Sequence, residues 1–248
     1  MKKVLITGGA GFIGANAVRA FLNMGSEVHV LEHTQADLWR LQEVKERIGM
    51  HMCDIGKYEE VEKVIRESKP EIILHFAAYG AFQGTQQDIE QTINTNLLGT
   101  INLVNACAKV GFQAFIQTGS SSEYGTKKQP MKESDVLESH NLYGMTKAVA
   151  TLYCQAAAKK QGLPIVVMRP FAVYGPFEEQ TRLIPTLVMS YLRGKSPKLS
   201  SPGSVRDFIF IEDLVSAYQA AIEHIQKAKG EIFNVGGGVE HSVGEAAD

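Results

Sequence analysis

The stretch from Val4 to Gly14 reads VLITGGAGFIG, a short apolar run that passes directly into a glycine-rich turn. The apolar run predicts a buried strand, and the pattern that follows predicts a helix from Gly14 to Met24. The turn contains three glycines in GxxGxxG spacing, namely Gly8, Gly11 and Gly14. Glycines allow a tight turn and let a pyrophosphate approach the amides at a helix N-terminus, where the helix dipole favours an anion. The stretch therefore predicts a dinucleotide-binding loop.

Short apolar runs alternate with helical patterns from the N-terminus to about Pro170. The predicted strands are Val4–Thr7, Glu27–Glu32, Met50–Cys53, Glu71–Phe76, Ala114–Thr118 and Pro164–Met168. The predicted helices are Gly14–Met24, Asp37–Arg47, Tyr58–Glu67, Gln87–Val110 and Leu142–Lys160. The strand EIILHF has an uninterrupted apolar middle, as expected when helices cover both faces of a sheet. The alternation predicts an α/β fold, a Rossmann-like doubly wound parallel sheet.

The pattern loosens after residue 170, where Gly175-Pro176 marks a loop. A strand at Arg206–Ile209, a helix at Asp213–Lys227 and a strand at Glu231–Val235 are predicted beyond it. We therefore expect a dinucleotide-binding domain over residues 1–170. A smaller C-terminal substrate lobe over residues 171–248 is expected to return strands to the main sheet.

Composition restricts the class of protein. The 248 residues are 44% hydrophobic and carry a net charge of −2, which suits a folded domain with a sizeable core. A charge this close to zero argues against a nucleic-acid partner, and no apolar run reaches the ~18 residues that span a bilayer. Three distant cysteines, Cys53, Cys107 and Cys154, indicate neither a disulfide framework nor a metal site, so a cytoplasmic location is expected.

Glu32 closes the second predicted strand. An acidic side chain there can accept hydrogen bonds from both adenine-ribose hydroxyls and repels a 2′-phosphate, which favours NAD over NADP. A surface glutamate at a strand end is the alternative. His33 and Arg40 lie close enough in sequence to receive a 2′-phosphate, so NADP stays possible. Asp54, after the third strand, predicts either a contact with the adenine side or a helix N-cap.

Tyr143 and Lys147 stand at i and i+4 in the segment YGMTK, so a helix places them on one face. An ammonium near a phenol lowers the phenol pKa from its usual value of about 10, which allows proton exchange near neutral pH. A solvated lysine beside a half-buried tyrosine is the alternative interpretation. The segment TGSSSEYG, residues 118–125, follows the fifth strand. It can bring a hydroxyl to the substrate oxygen that exchanges its proton with Tyr143. The alternative interpretation is a polar turn.

Seven segments occur in the order TGGAGFIG, LHFAA, NTNLLGT, YGMTK, MRPFAVYGP, RDFIFIEDL and FNVGGG. Together they resemble the extended short-chain dehydrogenase/reductase family, in its NAD-dependent epimerase/dehydratase branch, which acts on nucleotide sugars. The resemblance implies that Tyr143 is the general acid/base and that Lys147 lowers its pKa and binds the nicotinamide ribose. It implies that Ser120, with Ser121 as its rival, polarises the substrate oxygen. Arg206 would hold the sugar-nucleotide pyrophosphate, or instead form an ion pair nearby.

The remaining site residues follow from the same motifs. Asn96 matches a family asparagine that supports the active-site region. Cofactor contacts are expected from Gly8, Gly11, Phe12, Ile13, Gly14, Glu32, Asp54, Ile55, Phe76, Ala77, Ala78, Asn96, Tyr143 and Lys147. Substrate contacts are expected from Ser121, Ser122, Glu123 and Arg206.

The chain departs from the family pattern in two places. Dehydratases usually carry an acidic pair after the catalytic threonine, where this chain has Ser121 and Ser122. A shift of one residue would make Glu123 the dehydratase-type glutamate, so dehydration is disfavoured and stays open. Family members usually continue beyond SVGEAAD, where this chain stops, so we expect a smaller lobe or an incomplete chain.

We therefore expect an NAD-dependent oxidoreductase or epimerase that transfers a hydride and a proton at a nucleotide-sugar carbinol, C4 by resemblance. The alternatives are a 4-ketoreductase that uses NADPH, a 4,6-dehydratase, or a non-catalytic NAD(P)-binding protein. The resemblance also implies a homodimer that pairs the helices Gln87–Val110 and Leu142–Lys160 of two copies.

Overall fold

A seven-stranded parallel sheet forms the centre of the chain. The computed structural model describes residues 1–81, 88–197, 199 and 201–247. Its strands are β1 (Lys3–Thr7), β2 (Glu27–Glu32), β3 (Ile48–Met52), β4 (Ile72–His75), β5 (Ala114–Thr118), β6 (Ile165–Pro170), β7 (Ala172–Tyr174), β8 (Val205–Phe210), β9 (Ile232–Val235) and β10 (Glu240–Ser242). The sheet order is β3-β2-β1-β4-β5-β6-β9, and every pairing in it is parallel. The predicted doubly wound α/β sheet is thus confirmed.

The helices are α1 (Phe12–Asn23), α2 (Tyr58–Ser68), α3 (Ile89–Ile93), α4 (Gly99–Val110), α5 (Leu142–Gln161), α6 (Leu183–Leu192), α7 (Ile211–Glu223) and α8 (Ile225–Ala228). The predicted helices of the first 170 residues agree within a few residues, apart from the segment after Asp37, and the predicted start at Gln87 lies outside the described residues. The sequence did not predict α6, because its apolar residues Val188, Tyr191 and Leu192 are exposed and blur the helical period. Within the described ranges, no helix combines the length and apolarity that crossing a membrane requires.

Alternate residues of the central strands pack into two cores on opposite faces of the sheet. Leu5, Ile73 and Phe115 face the core that contains α2, α4 and α5. Ile6, Leu74 and Ile116 face the core that contains α1 and α7. Because each strand buries both faces, its apolar run is continuous rather than alternating.

The predicted helix Asp37–Arg47 is wrong as an α-helix. The chain forms a 3₁₀ helix from Trp39 to Arg47. Leu38, Leu41 and Val44 are spaced three residues apart, so they align on one face of a helix with three residues per turn. Leu41 and Val44 are buried in the core beside α1, which explains why the tighter helix fits here.

A π turn from Asn94 to Leu98 joins α3 and α4 into one continuous helical segment. Such turns add a residue to the helix and re-aim side chains, often at functional sites. Here Asn96 is 1% exposed and faces inward. At Gly99, where α4 begins, a Cβ would lie 2.6 Å from the Ile55 side chain, so the closely packed α4 requires glycine.

Beyond Pro170 the chain forms a second, three-stranded sheet in the order β10-β8-β7. It also returns β9 to the main sheet, beside β6. The Asp207 carboxylate accepts hydrogen bonds from the amides of Gly237 and Gly238, which joins β8 to the turn after β9. The domain boundary at residue 170 stays a prediction.

His75, at the end of β4, is fully buried between two threonine hydroxyls. Its Nδ1 lies 2.6 Å from Thr7 Oγ1, and its Nε2 lies 3.0 Å from Thr100 Oγ1. Thr100 in turn donates to the carbonyl of Asn96. Burial and the nearby Lys147 ammonium lower the pKa of His75 from 6.5 to about 3, so this histidine is neutral at pH 7.

We expect His75 to make the fold sensitive to acid. The unfolded chain takes up this proton below pH 6.5, whereas the folded chain resists it until about pH 3. Stability is therefore lost as the pH falls through this window, by about 3 kcal/mol between pH 6.5 and pH 4. Urea unfolding of the wild type and His75→Asn should show a shallower pH dependence in the variant. The exposed His224→Asn serves as the control, and equal slopes in all three proteins would contradict the assignment.

Candidate active site

The glycine loop after β1 packs so closely against other backbone atoms that it has no room for side chains at two positions. Gly8 has a φ of +68°, and a Cβ there would lie 2.6 Å from the amide nitrogen of Ala77. A Cβ on Gly14 would lie 2.1 Å from the carbonyl oxygen of Gly8. Helix α1 begins at Phe12, and across the described residues no side chain caps its first amides and its first turn holds no acidic residue. The first amides of α1 thus form a cradle for an anion, which fits the pyrophosphate of NAD.

Glu32 and Arg40 contact the glycine loop at the same residue. Glu32 is 8% exposed, and its Oε1 accepts a hydrogen bond from the Ala10 amide at 2.6 Å. Burial raises the pKa of the Glu32 carboxyl. All three guanidinium nitrogens of Arg40 donate hydrogen bonds to protein groups. The acceptors are the carbonyls of Phe177 and Ala10 and the carboxylate of Glu179. Arg40, one of the two residues that left NADP possible in the sequence, is therefore already paired.

Asp54 and Ile55 follow β3, two strands away from β1 in the sheet. The Asp54 Oδ1 accepts from the Gly56 amide at 2.9 Å, which closes a turn. The N-cap of α2 is Lys57, so the N-cap interpretation of Asp54 is wrong. Ile55 is buried, and its carbonyl accepts from the Asn102 amide group.

The loop after β4 joins the glycine loop to the helix that carries Tyr143. Phe76 packs edge-on against Tyr218 with ring centroids 5.2 Å apart, and the Ala77 amide donates to Thr7 Oγ1. Ala78 is exposed. The Asn96 amide accepts from the Tyr79 amide at 2.7 Å and donates to the Tyr79 carbonyl.

Asn96 also reaches α5. Its Nδ2 donates to Thr146 Oγ1 at 3.0 Å, and Thr146 donates to the Tyr143 carbonyl. Asn96 thus connects the loop after β4 to α5, and its supporting role in the active site stays a prediction. A direct contact between Asn96 and the cofactor stays a prediction.

Tyr143 and Lys147 lie one turn apart near the start of α5. Burial raises the pKa of Tyr143 to about 12, while a hydrogen bond with Ser120 and the charge of Arg182 oppose the rise. Lys147 is 2% exposed, and burial lowers its pKa to about 8. The lowering of the Tyr143 pKa by Lys147 stays a prediction, because burial dominates both groups.

The serine turn after β5 brings Ser120 to Tyr143. The Ser120 side chain accepts from the Ser122 amide, and its own amide donates to Glu123 Oε1, which together cap a short 3₁₀ turn over Ser121–Tyr124. Ser121 and Ser122 are half-buried in this turn. A Cβ on Gly144 would lie 2.4 Å from the Ser122 carbonyl oxygen, so this glycine lets α5 pack directly on the turn.

Glu123 points inward. It is fully buried, and its Oε1 also accepts from Thr151 Oγ1 at 3.0 Å. Its Oε2 forms a 2.7 Å ion pair with Arg169 Nε. Arg169 continues the network to the hydroxyl of Tyr124, which donates to Asn234. The carboxylate of Glu123 thus holds the turn to β6 and β9, rather than facing a substrate as the register shift would require.

Two further charged residues, Glu178 and Arg182, were not identified as site residues from the sequence. Glu178 Oε1 pairs with Arg182 Nε at 3.8 Å, and burial raises the pKa of Glu178 to about 7. Its Oε2 is buried without a hydrogen-bond partner among the described residues. The sequence offered only a weak signal, Pro185 in the first turn of α6, which starts just after Arg182.

Arg206 lies exposed on β8, where its guanidinium donates to the carbonyl of Val205. The neighbouring Asp207 carboxylate is bonded to the turn after β9. Contact of Arg206 with a pyrophosphate therefore stays a prediction. In the part of the chain that the structure describes, no group of three His, Cys, Asp or Glu side chains is placed to hold a metal ion.

Known proteins resemble this chain in sequence and in fold. The model of the NAD dependent epimerase/dehydratase family matches residues 4–236. A UDP-glucose 4-epimerase from Lactobacillus helveticus is 30% identical over 94% of this chain and 76% of its own length.

Two solved structures extend the comparison. A UDP-glucose 4-epimerase from Thermus thermophilus in complex with NAD is 27% identical with a TM-score of 0.85, covering 99% of this chain and 81% of the other. A dTDP-glucose 4,6-dehydratase from Bacillus anthracis in complex with NAD is 27% identical with a TM-score of 0.87, covering 100% and 79%. The relatives thus include both an epimerase and a dehydratase.

The glycine loop and, apart from Lys3, the seven-stranded parallel sheet lie within the residues that the family model matches. The match of the family model over most of the chain identifies NAD as the cofactor. The relatives are epimerases and dehydratases of nucleotide sugars. The chain belongs to the NAD-dependent epimerase/dehydratase family and is an enzyme of that family.

Proposed function

We propose that the protein is a nucleotide-sugar 4-epimerase in which Tyr143 is the general acid/base. The observation that carries the proposal is the half-buried Tyr143, whose side chain interacts with Ser120 and which lies one turn from the buried Lys147. Ser120 follows the end of β5, so this group lies towards the carboxyl edge of the sheet. That edge is where open α/β sheets bind ligands.

Each side chain has a distinct task in this proposal. NAD, when bound, supplies the reversible acceptance of a hydride from the sugar carbon. Tyr143 takes the proton of the sugar hydroxyl and returns it after the ketone has turned over. Ser120 hydrogen-bonds the same oxygen and keeps Tyr143 oriented. Lys147 contributes positive charge, which favours the phenolate that burial disfavours.

Dehydration is the second candidate function. Elimination of water needs an acid and a base besides Tyr143, and the only carboxylate of the serine turn, Glu123, is held by Arg169, Thr151 and the Ser120 amide. One observation favours dehydration: the Glu178 carboxyl is buried, has a pKa of about 7 and pairs with Arg182, whose charge acts on Tyr143. We rank epimerisation first, because it requires no further acid or base.

A 4-ketoreductase is disfavoured for a different reason. It would consume NADPH as a second substrate, and in this proposal the Glu32 carboxylate binds the adenine ribose and repels a 2′-phosphate. Arg40, one of the two residues that could neutralise that phosphate, is paired with Glu179. These contacts support a retained NAD.

The reaction is tested by incubating the enzyme with UDP- and dTDP-hexoses and separating the products. We expect interconversion of C4 epimers without net NADH formation, and we expect Tyr143→Phe to lower turnover at least about a thousandfold, because it removes the proton carrier. NAD binding should stay within a few-fold. Tyr153→Phe is the matched control, since its hydroxyl contacts Asn105 further along the same helix.

Each outcome distinguishes a candidate. A 4-keto-6-deoxy product would support dehydration instead. Reduction of a 4-keto sugar at the expense of added NADPH would support the reductase. Full turnover by the folded Tyr143→Phe protein would contradict the role of Tyr143.

Glu32 is proposed to bind the adenine ribose and exclude a 2′-phosphate. We expect Glu32→Ala and Glu32→Gln both to lower the ratio of the NADP and NAD dissociation constants, by about tenfold or more, because both remove the negative charge. Glutamine retains an acceptor for the Ala10 amide, so it separates charge from loop stability. Calorimetric titration with each nucleotide provides the ratio. An unchanged ratio in both variants would show that Glu32 is not the ribose ligand.

A homodimer and a cytoplasmic location stay predictions. The dimer is supported by exposed apolar side chains on α5, at Met145, Val149 and Leu152. Their spacing places them on one helix face, as expected for a surface that another helix covers.

We expect Val149→Asp to convert the dimer into a monomer, because it places a charge in the centre of this apolar face. Multi-angle light scattering over a range of concentrations measures the mass. Val136→Asp, at an exposed loop position, is the control. A wild-type monomer, or a Val149→Asp dimer of undiminished stability, would argue against this interface.

A further inference from the structure

Arg40 is held in place by groups from both sides of the cofactor loop. Its Nε donates to the Phe177 carbonyl at 2.8 Å, and one terminal nitrogen donates to the Ala10 carbonyl at 3.4 Å. The other terminal nitrogen pairs with Glu179 at 3.3 Å. The guanidinium carbon lies 4.4 Å from the ring centroid of Trp39. The side chain is 11% exposed, so its position is well determined by these contacts.

The segment that supplies two of these contacts is itself anchored. Phe177 has a φ of +70°, an unfavourable conformation for a bulky residue, and its ring lies under the guanidinium of Arg19 at 4.1 Å. The preceding carbonyl, of Pro176, accepts from Asn16 in α1. The loop after β7 is therefore pinned to the cofactor-binding helix, and it delivers Glu179 to Arg40.

Arg40 and Glu32 bond to opposite ends of the same residue. Glu32 accepts from the Ala10 amide, and Arg40 donates to the Ala10 carbonyl. An acidic residue at the end of the second strand binds the ribose hydroxyls of NAD, whereas an arginine nearby can accommodate the 2′-phosphate of NADP. This chain thus carries both kinds of residue, which contact the glycine loop at Ala10, and the charge of the arginine is paired.

We propose that Glu179 is a specificity-determining residue, which restricts the enzyme to NAD by holding the Arg40 guanidinium away from a 2′-phosphate. The inference rests on the proposed position of the adenine ribose at Glu32. It assigns nucleotide selectivity to a residue more than a hundred positions away from the glycine loop. Glu179 acts through Arg40 and does not touch the cofactor in this proposal, so it is a positioning residue.

The test compares five variants with the wild type. Glu179→Ala removes the pair, and Glu179→Gln retains a hydrogen-bond acceptor without the charge. Glu43→Ala is the matched control, because Glu43 pairs with Arg19 at 3.2 Å, also beside the cofactor loop. The double variant Arg40→Ala/Glu179→Ala is compared with Arg40→Ala. Dissociation constants for NAD and NADP are measured by calorimetry on nucleotide-free protein.

We expect Glu179→Ala to lower the ratio of the NADP and NAD dissociation constants by about three- to fivefold, because an exposed ion pair contributes at most about a fivefold effect. Glu179→Gln should show a smaller decrease, and Glu43→Ala should stay within twofold of the wild type. Removing Arg40 should abolish the effect, so the double variant and Arg40→Ala should have equal ratios. The proposal is overturned by a Glu179→Ala ratio equal to that of Glu43→Ala, or by a decrease that persists without Arg40.

A second readout reports the position of Arg40 itself. Trp39 is the only tryptophan of the chain, so its emission reports on the stacked guanidinium. Emission should change in Glu179→Ala and remain constant in Glu43→Ala.

Failure of the proposed function is distinguishable from failure of this inference. A wild type that binds neither nucleotide would contradict the cofactor site. A wild type that binds NAD, with a Glu179→Ala ratio that does not move, would contradict only the role of Glu179.

Discussion

The close approach of the β1 and β4 loops is the condition on which the site rests. Gly8 lies so near to Ala77 that any side chain would collide with its backbone. This contact brings the two loops together where the strand order reverses, between β1 and β4. The crevice for a dinucleotide forms there, and the first amides of α1 point into it.

A continuous chain of hydrogen bonds leads from this crevice to the proposed acid/base. Thr7 binds His75, His75 contacts Thr100, and Thr100 donates to the Asn96 carbonyl. Asn96 holds the loop after β4 and reaches Thr146, which lies between Tyr143 and Lys147 in α5. These hydrogen bonds therefore fix the glycine loop relative to Tyr143 and Lys147, and a buried neutral histidine is part of the connection.

The sequence predicted the features that depend on residues close together in the chain. It did not predict the contacts between residues that are far apart in the chain. The glycine spacing, the apolar strands and the tyrosine–lysine spacing are local, and the first two agree with the structure. The 3₁₀ geometry after Trp39 depends on how Leu41 and Val44 meet the core, which a helical period does not reveal. The pairing of Glu123 with Arg169, and of Arg40 with Glu179, joins segments far apart in sequence. No spacing rule could indicate either pair.

The π turn at Asn94–Leu98 changes the phase of a long helical segment. Each residue of an α-helix advances the side-chain direction by about 100°. The extra residue rotates the side chains of α3 relative to those of α4. The two parts of the segment therefore face directions that one regular helix would not allow. The amide of Asn96 thereby turns towards Tyr79 while Leu103 and Val104 stay in the core. Segment length is thus as informative as residue identity here, because deleting one residue from the π turn would change the direction of Asn96 relative to Leu103 even though both side chains are retained.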